Sequence, residues 1–408
     1  MSSRTAAPAS TPVDDRPDHL RGTPAATARR RPLGPPTATA PRRPPGTPAT
    51  ATSRHLRRAP LAVALLASSL ALAACGSSDD PAPRAGAATT PAGPVTVQNC
   101  GQRRTFDGVA RRIVATSNSA NVGTLLRIGA VSQLAAVSLT KGNDAVMQGL
   151  YGRGIERVPR LTSPISMEAI LAKRPDVLIG SYSGLFAGST GVTVEAAQKR
   201  GVAPYVISDS CRQDPAAGTA SKLGTMDPWD AVRADLAGYG RLTGREREAT
   251  AARRELDRRL SALQAAPRAG RPPKVLLFDS GTKDLYTSGR NGPPQGIIEA
   301  AGGTNVFDDQ DTTWFQASWE RVAAARPDAV VVMDYRSGEP GEVAQKLRTL
   351  RARPGLKDLP VIRRDRVVTL PLALFTSGFP NIEAAERVRD ALERFGLVPP
   401  RDRATGSR

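Results

Sequence analysis

The chain has 408 residues, enough for two or three domains, and its 57 Lys and Arg against 38 Asp and Glu give a formal net charge of +19. Residues 1–74 contain 11 Arg and three Asp, so this segment contributes +8 of the net charge of +19. Only 4% of residues are aromatic, which argues against the base-stacking surface of a nucleic-acid-binding protein. Both histidines, His19 and His55, also fall in residues 1–74. A mature chain that begins later has no Ser-His or Cys-His catalysis and no His-ligated zinc.

The first 74 residues are typical of a targeting segment. Residues 1–53 contain almost no large apolar side chains and predict no packed core. A basic cluster over 54–58 is followed by an uncharged apolar run over 59–74, which is short for a bilayer span of about 20 residues. The run ends in Leu-Ala-Ala-Cys-Gly, which resembles a bacterial lipobox. That resemblance implies that Cys75 is diacylated and becomes the first mature residue; a plain transmembrane anchor is the alternative.

Two further cysteines follow, Cys100 and Cys211. Exported compartments permit disulfides, so an even pair predicts a bridge. In the chain-entropy model such a bridge, closing a loop of about 110 residues, contributes on the order of 4–5 kcal/mol. Two separate buried thiols are the alternative.

From residue 112 onward, short β-branched runs alternate with helical patterns. Most of the runs lack inside/outside alternation, as strands covered on both faces do. Helices between strands imply parallel pairing with right-handed crossovers, so we expect an α/β fold. The predicted strands are Arg112–Ala115, Leu134–Val137, Val177–Ile179, Tyr205–Ser208, Val275–Phe278, Val330–Met333 and Val367–Leu370.

One internal repeat is specific. Ser166-Met167-Glu168 opens a helical pattern that ends at Arg174-Pro175-Asp176, and Ser318-Trp319-Glu320 opens one that ends at Arg326-Pro327-Asp328. The offset is 152 residues at each of these positions. In each copy the Ser can cap the helix, the Glu lies in the first turn and the Pro closes the helix. Two such copies predict two similar α/β lobes.

A long amphipathic helix between the copies is predicted by apolar residues at spacings of three or four within 227–266. A single stiff helix that joins two lobes would limit how far they hinge. The expected organisation is a basic leader and lipoprotein signal over 1–74, a flexible linker over 75–94, an N-terminal lobe over 95–226, linking helices over 227–266, a C-terminal lobe over 271–396 and a tail over 397–408.

Several motifs, in this order, resemble the periplasmic-binding proteins of iron-siderophore and cobalamin ABC importers. They run from Val97 to about Phe395 and include Thr105-Phe106-Asp107, Lys173-Arg174-Pro175-Asp176, Leu242-Thr243-Gly244-Arg245 and, most specifically, Glu299-Ala300-Ala301-Gly302-Gly303-Thr304-Asn305-Val306-Phe307. The resemblance implies two Rossmann-like lobes, each with a central, mainly parallel sheet, joined by a single long helix with a ligand cleft between the lobes. The pairs Asn99-Cys100 and Ser210-Cys211 look like an actinobacterial branch of this family.

The resemblance also implies partners. We expect a monomer that is tethered to the membrane through Cys75, binds no nucleic acid and docks onto an ABC permease with its ATPase. By motif match, Glu168 and Glu320 would meet basic residues of the permease. The alternative is that both merely complement a helix N-terminus, which contributes about 0.3–1 kcal/mol each.

Ligands of open α/β sheets lie beyond the carboxyl ends of the strands, and this rule selects the predicted ligand-binding residues. They are Ser117, Asn118, Asn121, Ser181, Tyr182, Phe186, Ser280, Thr282, Tyr286, Trp314, Phe315, Tyr335, Arg336 and Phe375. Aromatic surfaces with a few donors suit a bulky chelate or macrocycle, and Arg336 suits anionic groups on it. We expect about half of these residues to touch ligand. Many relatives have Glu at the position of Asn121, so contacts in the first lobe should differ.

The protein is not expected to bind a metal ion directly or to carry a cofactor. The acidic cluster Asp308, Asp309 and Asp311 lacks the Gly turn and distal Glu of a calcium loop, so any metal would arrive already chelated. The leading hypothesis is an importer lipoprotein for a ferric siderophore, with cobalamin, haem or a deazaflavin precursor as alternative ligands. A receptor without a transport role and an exported enzyme are the other hypotheses, although no positioned base or nucleophile is evident.

Overall fold

The computed structural model describes residues 93–116, 119–139, 141–162, 164–182, 184–186, 191–213, 226–335 and 341–401. The predicted leader, the signal, Cys75 and most of the linker lie outside these residues. Within them the chain is mixed α/β, with two parallel four-stranded sheets and two antiparallel two-stranded sheets. None of the helices in these ranges is both long and apolar enough to cross a membrane.

The N-terminal lobe opens with a hairpin and continues as a parallel sheet of strand order β4-β3-β5-β6. Its strands are β1 (Val95–Asn99), β2 (Gln102–Phe106), β3 (Ile113–Ala115), β4 (Leu134–Val137), β5 (Val177–Gly180) and β6 (Ala203–Val206). Its helices are α1 (Ser119–Arg127), α2 (Lys141–Tyr151), α3 (Met167–Leu171) and α4 (Val194–Gln198). Strands β3 and β5 are buried throughout, as the lack of alternation in their sequences predicts.

Two helices link the lobes, α5 (Pro228–Thr243) and α6 (Glu246–Ala265). The carboxylate of Asp227 caps α5 by accepting from the backbone N–H of Trp229, and Gly244, at φ 67°, ends it in the left-handed region. The predicted amphipathic helix is α6, whose buried stripe is Ala249, Ala252, Leu256, Leu260 and Leu263.

The C-terminal lobe holds the second parallel sheet, of strand order β12-β11-β7-β9, and the antiparallel pair β8–β10. Its strands are β7 (Lys274–Phe278), β8 (Leu285–Ser288), β9 (Thr304–Asn305), β10 (Trp314–Ala317), β11 (Ala329–Asp334) and β12 (Val367–Pro371). Its helices are α7 (Pro293–Ala300), α8 (Trp319–Ala325), α9 (Glu342–Ala352), α10 (Pro360–Arg363) and α11 (Asn381–Arg394). The α/β class with two parallel sheets is therefore confirmed.

The internal repeat is confirmed in detail. The hydroxyl of Ser166 accepts from the N–H of Ala169 at 3.2 Å, and that of Ser318 accepts from the N–H of Arg321 at 3.3 Å, so each Ser caps its helix. At the other end of each unit, Asp176 and Asp328 accept backbone N–H groups at the start of β3 and β7 respectively.

One hydrophobic core cluster runs continuously from the N-terminal lobe through α5 and α6 into the C-terminal lobe. Ion pairs also connect α6 to both lobes. Arg127 of α1 pairs with Glu255 of α6, and Arg259 of α6 pairs with Glu383 of α11 at 2.9 Å. Because α6 is bonded to both lobes, hinging has to repack this shared core, which disfavours large motions.

Candidate functional site

The segments that follow the carboxyl ends of β3 and β12, one in each lobe, are in direct contact. Helix α1 follows the carboxyl end of β3, and the N–H of Ala120 donates to the hydroxyl of Thr376, which follows β12, at 3.2 Å. The N–H of Phe379 donates in turn to the hydroxyl of Thr124 at 2.8 Å. Ligands of open α/β sheets bind beyond this edge, so both lobes present their binding edges to the same place.

Glycine is required where the lobes meet. A Cβ at Gly378 would lie 2.3 Å from the carbonyl oxygen of Ala120 and 2.8 Å from the hydroxyl of Thr124. No real Cβ contact is that short, so the close approach of the two lobes depends on the missing side chain.

The described ligand residues predicted in the N-terminal lobe are almost fully buried. Ser181 is 6% exposed, and Tyr182 and Phe186 pack edge to face at 6.3 Å between ring centroids inside the core of this lobe. Asn121 is 2% exposed and accepts a hydrogen bond from the phenol of Tyr239. Because they are buried, these side chains contribute to the packing of the N-terminal lobe next to the candidate site. Ser117 and Asn118, predicted beside them, lie outside the described residues.

A buried carboxylate, Asp235, contributes to the packing of the same lobe. Asp235 of α5 accepts from the phenol of Tyr205 at 3.0 Å and from the hydroxyl of Ser208, after β6, at 2.6 Å. Burial raises the pKa of Asp235 to about 6. Asp235 is absent from the residues predicted from the sequence. Its place in the helix, next to the apolar positions Val232, Leu236 and Tyr239, could have indicated that its carboxylate is buried.

In the C-terminal lobe, Tyr286 and Trp314 form a half-buried aromatic surface. Their rings stack at 6.1 Å with an interplanar angle of 22° on one face of the antiparallel pair β8–β10. Phe315, the next residue along β10, lies on the opposite face and packs edge to face against Phe307 in the core. Phe375 is fully buried.

Thr282 lies towards helix α8. Its side chain is exposed, and its carbonyl oxygen accepts from the indole N–H of Trp319 at 3.2 Å and from the guanidinium of Arg353. The structure thus brings together Ser280, Tyr286, Trp314 and Tyr335 at the edge of the sheet. It separates Thr282, Phe315 and Phe375 from this group, and Arg336 lies outside the described residues.

A buried polar cluster underlies this aromatic surface. Asp279, directly after β7, is 2% exposed, and its Oδ1 has no hydrogen-bond partner among the described residues. Burial raises the pKa of Asp279 to about 6, against the lowering effects of Tyr335 and Lys346 nearby. Burial and the negative charge of Asp279 raise the pKa of Tyr335 as well.

The charges around Asp279 are already partly engaged. The ammonium of Lys346 donates to the carbonyl of Met333 at 2.7 Å and to Glu342 at 2.8 Å, and it lies 4.2 Å from the centroid of the Tyr335 ring. The predicted ligand-binding residues did not include Asp279, Glu342 or Lys346. The strand-end rule that selected Ser280 applies equally to Asp279, so for this residue the signal was available.

Glu168 and Glu320 occupy equivalent exposed positions, one in each lobe. Each lies in the first turn of its helix, where its own backbone N–H and the capping Ser hold the pKa of the carboxyl below its usual range. Arg200 near Glu168 and Arg353 near Glu320 contribute to the same lowering. Both carboxylates therefore stay ionised at neutral pH on the surfaces of the two lobes.

The predicted disulfide between Cys100 and Cys211 is present and closes a sequence separation of 111 residues. Next to it, the amide of Asn99 accepts from the N–H of Val206 at 3.0 Å and donates to its carbonyl at 2.6 Å. The side chain of Asn99 thus occupies the free edge of β6 as a neighbouring strand would. Together the two links fix the first hairpin to the end of the sheet beside the site.

A model of the family described as periplasmic binding protein matches residues 114–374, more than half of the chain. The chain belongs to this family. Its members are substrate-binding proteins of ABC importers, which are solute receptors and not enzymes. This agrees with the two lobes whose binding edges face each other.

The vitamin B12-binding protein of Salmonella typhimurium is 35% identical over 75 residues, which are 18% of this chain and 27% of that protein. The chain therefore spans about a quarter of the length of this curated relative. A protein of an ABC-type Fe3+-hydroxamate transport system from Saccharomonospora viridis gives a TM-score of 0.60 at 24% identity, covering 73% of this chain and 99% of that one. A periplasmic binding protein from Veillonella parvula gives a TM-score of 0.60 at 18% sequence identity, and the match covers 73% of this chain and 97% of that one. The two solved structures show the fold.

Proposed function

We propose that this periplasmic binding protein captures an iron(III)-siderophore-type chelate between its lobes and delivers it to a membrane permease. The observation that supports the ligand class most directly is the half-buried stack of Tyr286 on Trp314 at the edge of the sheet in the C-terminal lobe. A flat aromatic surface next to hydroxyl groups suits the apolar body and polar rim of a bulky chelate. Ser280 and Tyr335 supply those hydroxyl groups.

The solved protein from Saccharomonospora viridis is named for Fe3+-hydroxamate transport, which favours a ferric chelate as the first ligand to test. Cobalamin is the second candidate, because the curated relative from Salmonella typhimurium is named a vitamin B12-binding protein. Both ligands are large, and both combine a metal that is already coordinated with an organic periphery. The same aromatic surface therefore suits either.

Delivery would use the exposed carboxylates of Glu168 and Glu320. Their equivalence under the internal repeat places one fixed negative charge on each lobe, which suits a permease that presents a basic residue to each lobe. An anchor at Cys75 would keep the protein at the membrane surface, where that permease lies. Release of a Cys75→Ala variant into the culture medium would support the anchor, and full retention in the membrane fraction would contradict it.

Titration of the intrinsic tryptophan fluorescence tests the ligand class. Trp229 and Trp319 are 6% and 3% exposed, whereas Trp314 is half-buried on the proposed binding surface, so bound chelate should quench Trp314 selectively. The titrants are ferrioxamine B and cyanocobalamin. Saturable quenching that a Trp314→Phe variant loses supports the proposal, with Trp229→Phe as the matched control. If neither compound shifts the fluorescence or the thermal midpoint, the proposed ligand class is wrong.

A further inference from the structure

A second cleft lies at the amino end of the parallel sheet in the C-terminal lobe. Its volume is about 380 Å³. Lys274, the first residue of β7, lines it, and so do Asp328 and Arg366, which directly precede β11 and β12. Because three neighbouring parallel strands begin here, this amino-end cleft lies at the opposite end of the strands from the candidate ligand site.

Cations dominate the lining of the amino-end cleft. Its charged lining residues are four cations and a single carboxylate among the described residues: Arg271, Lys274, Arg326, Arg366 and Asp328. Asp328 is already paired with Arg271 at 3.1 Å, and the ammonium of Lys274 donates to the carbonyl of Ala325 at 3.2 Å. The guanidinium groups of Arg326 and Arg366 have no partner within the described ranges. Four cations against one carboxylate give the lining a net charge of +3.

Nearby carboxylates do not cancel this charge. Asp365, directly before Arg366, is paired with Arg351 at 2.8 Å. Residues 336–340 and 402–408, the parts of this half of the chain outside the described ranges, contain two acidic and three Arg side chains. They therefore bring no excess of negative charge, and the cleft attracts an anion.

The fold does not require so many cations at this place. The equivalent cleft of the N-terminal lobe has a volume of about 540 Å³ and is built around Asp176, the counterpart of Asp328 in the repeat. Asp176 accepts the N–H of Arg112 at 3.0 Å, as Asp328 accepts that of Lys274 at 2.8 Å. The charged residues that line it are Arg111, Asp107 and Asp176, which leave a net charge of −1. Of these two clefts, only the one in the C-terminal lobe has surplus cations, so binding explains them better than folding does.

Such a cleft suits a phosphate group. A phosphate offers several acceptor oxygens to several cations at once, and each guanidinium matches two of those oxygens with paired N–H groups. Like charges gathered in one cleft repel each other, and a bound anion relieves that repulsion. The volume also lies within the range of about 300–1,000 Å³ that is usual for small-ligand sites. Shape and charge therefore favour the same kind of ligand.

We infer that the amino-end cleft is a phosphate-binding site, in which Lys274, Arg326 and Arg366 hold the phosphate group. The headgroup of an anionic phospholipid and a free phosphate ion offer the same chemistry. A domain anchored at Cys75 would lie next to such headgroups, so the lipid is the first source to test. The cleft is separate from the candidate ligand site, and the inference does not depend on which chelate that site binds.

The response of the chelate-free protein to phosphate is the first test. Thermal unfolding is followed at neutral pH in sodium phosphate and in sodium chloride of the same ionic strength. A ligand that binds only the folded state raises the unfolding midpoint as its concentration increases. The midpoint should therefore be higher in phosphate than in chloride.

Vesicle binding distinguishes the lipid from the free ion. Sedimentation is measured with vesicles of phosphatidylcholine alone and of phosphatidylcholine mixed equally with phosphatidylglycerol. All proteins carry Cys75→Ala, so that no acyl chain contributes to binding. A preference for the phosphatidylglycerol vesicles identifies the headgroup as the source, and a thermal response without that preference identifies the free ion.

The cleft variant combines Arg326→Asn with Arg366→Gln. It should weaken binding at least about tenfold in the arm that responds, because both substitutions remove a cation that faces the anion. Asn is chosen because residue 326 has φ 50°, in the left-handed region that Asn tolerates. The matched control, Arg254→Gln with Arg258→Gln, removes two exposed charges of α6 that have no ion pair within the described ranges, and it should bind as the wild type does.

The outcomes separate a built site from attraction by overall charge. If the double cleft variant does not fold, Arg326→Asn alone should still weaken binding about fivefold. Equal weakening by the cleft variant and by the control overturns the inference, and so does a wild-type protein that responds in neither arm. Fluorescence titration with ferrioxamine B should give the same affinity for the cleft variant and the wild type, so failure of that titration bears on the proposed function alone.

Discussion

Arg389, in the middle of α11, is completely buried and its guanidinium pairs with Glu393 at 2.8 Å. The same guanidinium donates to the carbonyls of Pro267, at the end of the linking segment, and Pro399, in the tail, at 2.8 and 2.7 Å. One side chain thus joins the linking segment, the last helix and the tail. This charge is compatible with full burial because its donors are matched by acceptors.

Arg389→Ala should destabilise the protein by at least about 2 kcal/mol, because the carbonyls of Pro267 and Pro399 each lose a donor at about 1–3 kcal/mol, although Arg401 still pairs with Glu393. Arg387→Ala is the matched control on the same helix, since the side chain of Arg387 is partly exposed, at 41%, and its pair with Glu383 is worth about 1 kcal/mol or less. Urea denaturation of both variants measures the difference. Equal losses of unfolding free energy would contradict the role assigned to Arg389.

Asp235 should make stability depend on pH between about 4 and 6. Burial raises the pKa of Asp235 to about 6, so in this window the folded state holds a proton that the unfolded chain has released. The contribution of this carboxyl therefore favours folding as the pH falls through 6 and opposes it above 6. Relative to wild type, Asp235→Asn should be more favourable at pH 7.5 than at pH 5.

The measurement is the difference in unfolding free energy between variant and wild type at each pH, which cancels the acid sensitivity of other carboxyls. Glu168, Glu320 and Glu393 have lowered pKa values and act in the opposite direction in both proteins. Asp230→Asn, at an exposed position of the same helix, is the control. A difference for Asp235→Asn that stays constant from pH 5 to pH 7.5 would show that this carboxyl does not titrate as argued.

Gly378→Ala should disturb the contact between the lobes. The added Cβ would lie 2.3 Å from the carbonyl oxygen of Ala120, so α1 and the loop before α11 must move apart. We expect lower thermal stability and weaker chelate binding. Gly149→Ala makes the same change in α2, where nothing lies within 4 Å, and should stabilise by about 0.5–1 kcal/mol. Unchanged stability and affinity in Gly378→Ala would mean that the loop relaxes freely.

Reversing both docking charges, Glu168→Arg with Glu320→Arg, should abolish uptake of the chelate that the fluorescence titration identifies. Both side chains are exposed, and neither is among the predicted ligand-binding residues, so affinity for free chelate should be unchanged. Glu246→Arg with Glu248→Arg reverses two exposed charges in the first turn of α6 and serves as the control. Uptake of radiolabelled chelate by cells is the measurement. Normal uptake with the docking variant would refute this assignment.

The strands of the two parallel sheets were largely predictable, because each is a short apolar run covered on both faces. All seven predicted runs coincide with observed strands, although β6 begins at Ala203, two residues before the predicted start. The eighth strand of the parallel sheets, the two-residue β9, was missed, and so were the antiparallel pairs β1–β2 and β8–β10. Strand β2, Gln102–Phe106, has one buried residue, so its sequence shows no run to detect.

The grouping of the candidate site residues was only partly predictable. The strand-end rule selected Ser280, Tyr286, Trp314 and Tyr335, which the structure gathers at one edge. It could not separate them from Phe315 and Phe375, because exposure depends on which elements pack on either side of a strand end. An aromatic residue in such a position fits the core and a ligand surface equally well.

The sequence by itself determined the local features: the Ser caps and Glu residues of the two repeats, the amphipathic α6, and the parallel strands. Each depends on residues within a few turns of one another, where spacing and side-chain type suffice. Only the tertiary structure decided that Tyr286 stacks on Trp314 and that Asp279 lies buried beside Tyr335 with an unpaired oxygen. Those relationships join residues 28 and 56 positions apart, and they depend on packing and desolvation that no local pattern encodes.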